Sequence, residues 1–128
     1  MTLQRLWLGR MSTLVLAVMT LGSIAGGAVG AGEARTVEIT ASRFRFEPSV
    51  VEVDKGQAVR LILRSADTDH GLAIKAYGVK VAIPKGGAPV SVDLVATQAG
   101  RFPMECSEYC GSGHSRMRGE LVVVEVKS

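Results

Sequence analysis

Apolar and polar residues alternate in short runs along most of this chain, the period-2 signature of strands with one buried face. Thr36-Val-Glu-Ile-Thr40 sets Val37 and Ile39 on one side. Ala58 to Arg64 sets Val59, Leu61 and Leu63 against Arg60, Ile62 and Arg64, and Val90-Ser-Val-Asp-Leu94 repeats the pattern. Phe44 and Phe46 alternate with Arg43 and Arg45 until Pro48 interrupts, which suits a sheet edge or a change of sheet. Val51 and Val53 continue to a turn at Asp54-Lys55-Gly56. Further strands are expected over Leu72 to Ala76, Val79 to Ile83, Arg101 to Cys106 and Glu120 to Val126. No stretch of the body keeps a 3.6-residue period for three turns. Seven or eight short strands, with turns about every ten residues, predict an all-β Greek-key sandwich.

The first 31 residues break this pattern. A short basic start with Arg5 and Arg10 leads into an uncharged run, Met11 to Gly32, with an apolar centre at Leu14 to Leu21. This is the layout of a secretory signal, and Val29-Gly30-Ala31 offers a small-residue cleavage site. The run is also close to the roughly 20 residues that a membrane span needs, though its second half is rich in glycine. Residues 1–31 are therefore expected to be a signal peptide or an N-terminal membrane anchor, and residues 32–128 a single domain. In either case the body faces the periplasm or the outer face of the cytoplasmic membrane, as a monomer touching membrane only through an uncleaved N-terminal segment.

Charge removes one class of partner. Of 15 Lys and Arg residues, Arg5 and Arg10 lie in the N-terminal segment, leaving 13 basic against 12 acidic side chains in the body. A balance of +1 gives no basic stripe for nucleic acid.

The chemistry is concentrated in Cys106-Ser-Glu-Tyr-Cys110-Gly-Ser-Gly-His114-Ser-Arg-Met117. Both cysteines, one of two histidines and one of two body methionines fall within twelve residues, spaced C-x3-C-x3-H-x2-M. Gly111 and Gly113 are expected to keep this loop supple, and Tyr109 to shield the site from water. The other histidine, His70, lies 36 positions upstream at the end of a polar loop. In a Greek-key sandwich, loops at one end cluster, so the two regions can meet. Thiolate, imidazole and thioether donors favour copper over magnesium or calcium. Two cysteines in an exported protein also admit a disulfide. Two cysteines with two histidines admit tetrahedral zinc, which would leave Met117 unused. A mononuclear blue-copper site needs one cysteine, and this loop has two. Taken alone, His70 would read as a satisfied core or surface residue and Met117 as core packing, the reading kept for Met104. Asp67 and Asp69 either orient His70 or serve the turn; Arg116 and Arg118 read as solvated charge.

With Asp67-Thr-Asp-His70 upstream, the loop resembles the binuclear copper (CuA) motif of the cupredoxin domains in cytochrome c oxidase subunit II and nitrous oxide reductase. The resemblance runs from about Thr36 to Val126. It implies a cupredoxin-like Greek-key β-sandwich in which Cys106 and Cys110 bridge two copper ions. It further implies that His70 and His114 each cap one copper, with Met117 and the backbone carbonyl of Glu108 as axial ligands. The implied role is electron transfer rather than catalysis, because the ligand set leaves no position for a substrate. The expected partners are redox proteins: a c-type cytochrome or another copper protein, and a terminal oxidase or reductase. A copper chaperone or storage protein that delivers metal to another apoprotein would use the same ligands. The oxidase subunit has a transmembrane hairpin where this chain has one apolar segment.

Overall fold

The computed structural model describes residues 33–127. The predicted signal or anchor at residues 1–31 lies outside the described residues. Among those described, no helix is long and apolar enough to cross a membrane. Nine strands follow in order: β1 (Arg35–Ser42), β2 (Arg45–Glu47), β3 (Val50–Asp54), β4 (Ala58–Ser65), β5 (His70–Ile74), β6 (Val79–Ile83), β7 (Val90–Val95), β8 (Gly100–Glu105) and β9 (Arg118–Val124). Lys75–Tyr77 and His114–Arg116 form single 3-10 turns. The expected all-β sandwich is what forms, with one sheet ordered β2-β1-β4-β7 and the other β3-β9-β8-β5-β6. The interruption at Pro48 is a change of sheet: β2 edges the first sheet and β3 edges the second.

Alternation in the sequence becomes burial in the sandwich. Val59, Leu61 and Leu63 of β4 point into the core with Ile39 and Ala41 of β1 and Val92 of β7. The other sheet contributes Val51, Val53, Leu72, Ile74, Ile83, Met104, Leu121 and Val123. Each large side chain that is fully buried, such as Phe46, Leu61 or Leu72, contributes about 1.5–3 kcal/mol by leaving water.

Two strands differ from expectation. β5 starts at His70, two residues before the expected Leu72, and all five of its residues are buried. Strand β9 starts at Arg118 and stops at Val124, leaving Val126 exposed beyond it. The register of β5 positions the site. Its antiparallel pairing with β8, at Ala73↔Glu105, runs the start of β5 past the end of β8 and alongside the loop that follows. His70 is thereby carried to the loop that opens at Cys106.

Candidate metal centre

The β8–β9 loop closes on itself before any ligand is considered. The Cys106 amide donates to the Met117 carbonyl (3.2 Å), and the His114, Arg116 and Met117 amides donate to the carbonyls of Gly111, Gly113 and His114 (3.0, 3.0 and 3.1 Å). The Ser107 amide reaches the Gly71 carbonyl on β5 (3.4 Å), joining the loop to the strand that bears His70. Sulfur and nitrogen atoms then converge. Cys106 Sγ lies 3.7 Å from Cys110 Sγ and 3.9 Å from His70 Nδ1. Cys110 Sγ lies 3.8 Å from His114 Nδ1 and 3.8 Å from Met117 Sδ. The Glu108 carbonyl oxygen is 3.1 Å from Cys106 Sγ, while its side chain is exposed. All six predicted residues are brought to one place.

These spacings fit metal ligation. Sulfur and nitrogen donors bind an ion at about 2.0–2.3 Å, which puts neighbouring donors roughly 3.3–4.0 Å apart at tetrahedral to trigonal angles. Ligand atoms of His70, Cys106 and Cys110 all lie within 4.8 Å of one another, and these three residues are buried. Both cysteines are free, with sulfurs too far apart for a bond. Met117 is 1% exposed beside Cys110, so the cluster includes the neutral thioether that zinc would not use.

His70 is held by Asp67. Its Nε2 lies 2.7 Å from Asp67 Oδ1, so the ring gives its N–H there and turns the Nδ1 lone pair towards the sulfurs. Burial works against the Asp67 carboxylate, but the Arg43 amide, His70 and the Thr68 amide outweigh it and hold its pKa below the usual range. Asp69 instead accepts the Lys85 amide (2.7 Å), tying its loop to the one after β6. The two acidic residues that read alike in sequence therefore divide the work. Asp67→Ala should weaken metal affinity by about 10–100-fold, the usual cost of removing a carboxylate behind a ligating imidazole. Competition with a chelator measures it, and unchanged affinity would remove Asp67 from the site.

Burial, then hydrogen bonding to Cys106, pushes the Cys110 thiol up from 9.0 to about 11. The folded apoprotein thus holds this proton more tightly than the unfolded chain does. That contribution to stability is fully present below pH 9 and is lost as pH rises through about 11. The melting temperature of the reduced apoprotein should fall over that window, and Cys110→Ser should flatten the fall.

Two expectations about the loop are corrected. Tyr109 is 78% exposed, with its ring centroid 5.8 Å from that of His114, so it lies outside the centre and does not cover the sulfurs. The residue that packs on the loop is Phe44, in the turn between β1 and β2. Its ring packs so closely on the loop that a Cβ at Gly113 would overlap it, and one at Gly111 would come within 3.1 Å. Gly111 also has φ +132°, in a region side chains avoid. The glycines admit a ring and a backbone turn, and the loop they form is tightly packed. Beside Phe44, Arg43 donates its amide to Asp67 Oδ2 (2.8 Å) and its Nε to the Cys110 carbonyl (2.9 Å). Neither residue was a candidate from sequence, because 67 positions separate Arg43 from Cys110.

Residues 12–123 match the cupredoxin-like domain family. The chain belongs to that family. This cupredoxin-like chain is 30% identical over 90 residues to cytochrome c oxidase subunit 2 of Thermus thermophilus, covering 70% of the chain and 66% of that relative. Against a second, longer subunit 2 sequence from T. thermophilus, at the same identity, it spans 53% of the relative's length. Among solved structures, the cupredoxin fold matches the periplasmic domain of cytochrome oxidase subunit II from Bradyrhizobium japonicum. That match has a TM-score of 0.66 at 22% identity, covering 74% of this chain and 88% of the other. Auracyanin A, a blue copper protein from Chloroflexus aurantiacus, matches with a TM-score of 0.57 at 19% identity, over 72% of this chain and 100% of the other. The fold is thus shared well beyond close sequence relatives.

Proposed function

We propose that this domain is an exported electron carrier in which Cys106 and Cys110 would hold two copper ions. His70, His114, Met117 and the Glu108 carbonyl complete the ligand set in this reading. One observation carries it: two buried thiols 3.7 Å apart, with an imidazole Nδ1 of His70 at 3.9 Å from one and of His114 at 3.8 Å from the other. The relatives in oxidase subunit 2 support the same assignment. A bound copper pair would supply one-electron redox chemistry.

The chain's own residues account for the rest. Cys106 and Cys110 release protons on loading, so copper uptake strengthens with pH. Asp67 keeps His70 in the tautomer that presents Nδ1. Strands β5, β8 and β9 anchor the ligand segments in the packed core, which resists rearrangement when an electron arrives. Phe44 packs on the loop. Both cysteines, both histidines and Met117 are committed to the metal in this reading, which leaves the domain itself as a carrier and not an enzyme. Its partners are redox proteins outside the cytoplasm, such as a c-type cytochrome or copper protein as donor and a terminal oxidase or reductase as acceptor. Residues 1–31 act as the export signal or anchor.

The test is a copper titration of reduced apoprotein, with metal counting and electron paramagnetic resonance. Two coppers per chain sharing one unpaired electron over both nuclei are expected. One copper, with hyperfine structure from a single nucleus, overturns the reading. Copper storage or delivery is the second reading. It is favoured by a cleft of about 210 Å³ bordered by Cys106, His114 and Met117, which gives the metal a way out. A carrier keeps both coppers against a moderate chelator, whereas a donor yields Cu(I).

A further inference from the structure

We infer that Arg43 is a positioning residue of the metal centre: it ties the His70 side to the Cys110 side and biases the loaded centre towards its reduced state. The inference rests on the copper reading above and adds a residue that is not a ligand.

The tie is a continuous set of hydrogen bonds. His70 Nε2 meets Asp67 Oδ1 at 2.7 Å, the Arg43 amide donates to Asp67 Oδ2 at 2.8 Å, and Arg43 Nε donates to the Cys110 carbonyl at 2.9 Å. One residue of the β1–β2 turn thus joins both halves of the ligand set, which come from segments 36 residues apart. The carbonyl it holds begins the peptide into Gly111, where the backbone adopts φ +132° and no side chain anchors it. From that point the loop carries His114 and Met117. The main-chain amide bond survives any substitution other than proline, so changing the side chain isolates the guanidinium.

The charge is the second half of the inference. Six ion pairs link Arg or Lys to Asp or Glu side chains among the described residues, and Arg43 is in none of them. Its positive charge is fixed beside the loop. Reduction removes one positive charge from the centre, so a nearby cation favours the reduced form and raises the potential. Because Arg43 is exposed, solvent weakens the effect without changing its sign.

The experiment compares full-length wild type, Arg43→Met and Arg43→Lys by redox titration of the copper-loaded proteins. Hydrogen exchange of the His114, Arg116 and Met117 amides is measured on the metal-free proteins. Arg43→Met should lower the midpoint potential and speed exchange, and Arg43→Lys should restore the potential. A wild-type potential in Arg43→Met overturns the electrostatic role; wild-type exchange overturns the tie. Should Arg43→Met not fold, Arg43→Gln makes the same uncharged comparison. If wild type itself binds no copper pair, the copper reading fails, while exchange in the metal-free proteins still decides the tie.

Discussion

Replacing either cysteine with serine should abolish the two-copper centre. A serine hydroxyl stays protonated at neutral pH and is a hard donor, so the variant keeps one thiolate where two are needed to join two ions. The fold should survive, since the change swaps one small buried group for another. A hydroxyl left without a partner there costs about 1–3 kcal/mol, small beside the metal lost. The two variants should also differ. Cys106→Ser leaves Cys110 with His114 Nδ1 and Met117 Sδ, both at 3.8 Å and all from one eight-residue segment. Cys110→Ser leaves Cys106 with His70 and the Glu108 carbonyl, drawn from two segments. Cys106→Ser should therefore retain a single copper more tightly than Cys110→Ser does. Metal analysis and paramagnetic resonance give the answer directly. Two coppers retained in either variant would sink the bridging role.

What could be read in the sequence, and what could not, follows from how local each signal is. Strands β1, β4 and β7 alternate because one face is buried and the other wet, and they fall close to where that pattern puts them. Strand β5 is buried along its whole length, so it has no alternation to mark its start, and its first residue is the histidine that meets Cys106. Five of the six gathered groups lie within twelve residues, so their spacing is visible without a fold. His70 was reachable only because the loop lacked a second imidazole. Asp67 and Asp69 could not be told apart, since each sits in the same polar turn and only the fold shows which oxygen meets Nε2. Arg43 and Phe44 read as ordinary alternating residues near a sheet edge. Their role comes from the β1–β2 turn lying over a loop nearly seventy residues later, a contact no local pattern encodes. The glycines misled for the same reason: flexibility is their default reading, and close approach shows only once the opposing ring is known.

Gly113→Ala should be far more damaging than a single methyl suggests. The added Cβ would overlap Phe44 at Cγ and Cδ2 and stand 2.7 Å from Cε2. Either the ring leaves or the loop moves, because a packed interior does not absorb such an overlap. Overpacking of this kind costs about 1–3 kcal/mol, and in a domain of this size each kcal/mol lowers the melting temperature by roughly 4–8 °C. Metal binding should suffer as well, since Gly113 directly precedes His114 and its carbonyl accepts the Arg116 amide. A shift of the loop by even a fraction of an ångström changes the distance from His114 Nδ1 to Cys110 Sγ. The steric origin can be isolated with a second change. Phe44→Ala alone takes that ring off the loop and should loosen copper. Combined with Gly113→Ala it removes the overlap, so the double variant should be more stable than the sum of the single losses predicts. Thermal melts of the four metal-free proteins complete the cycle, and strictly additive losses would show that Phe44 and Gly113 do not oppose each other.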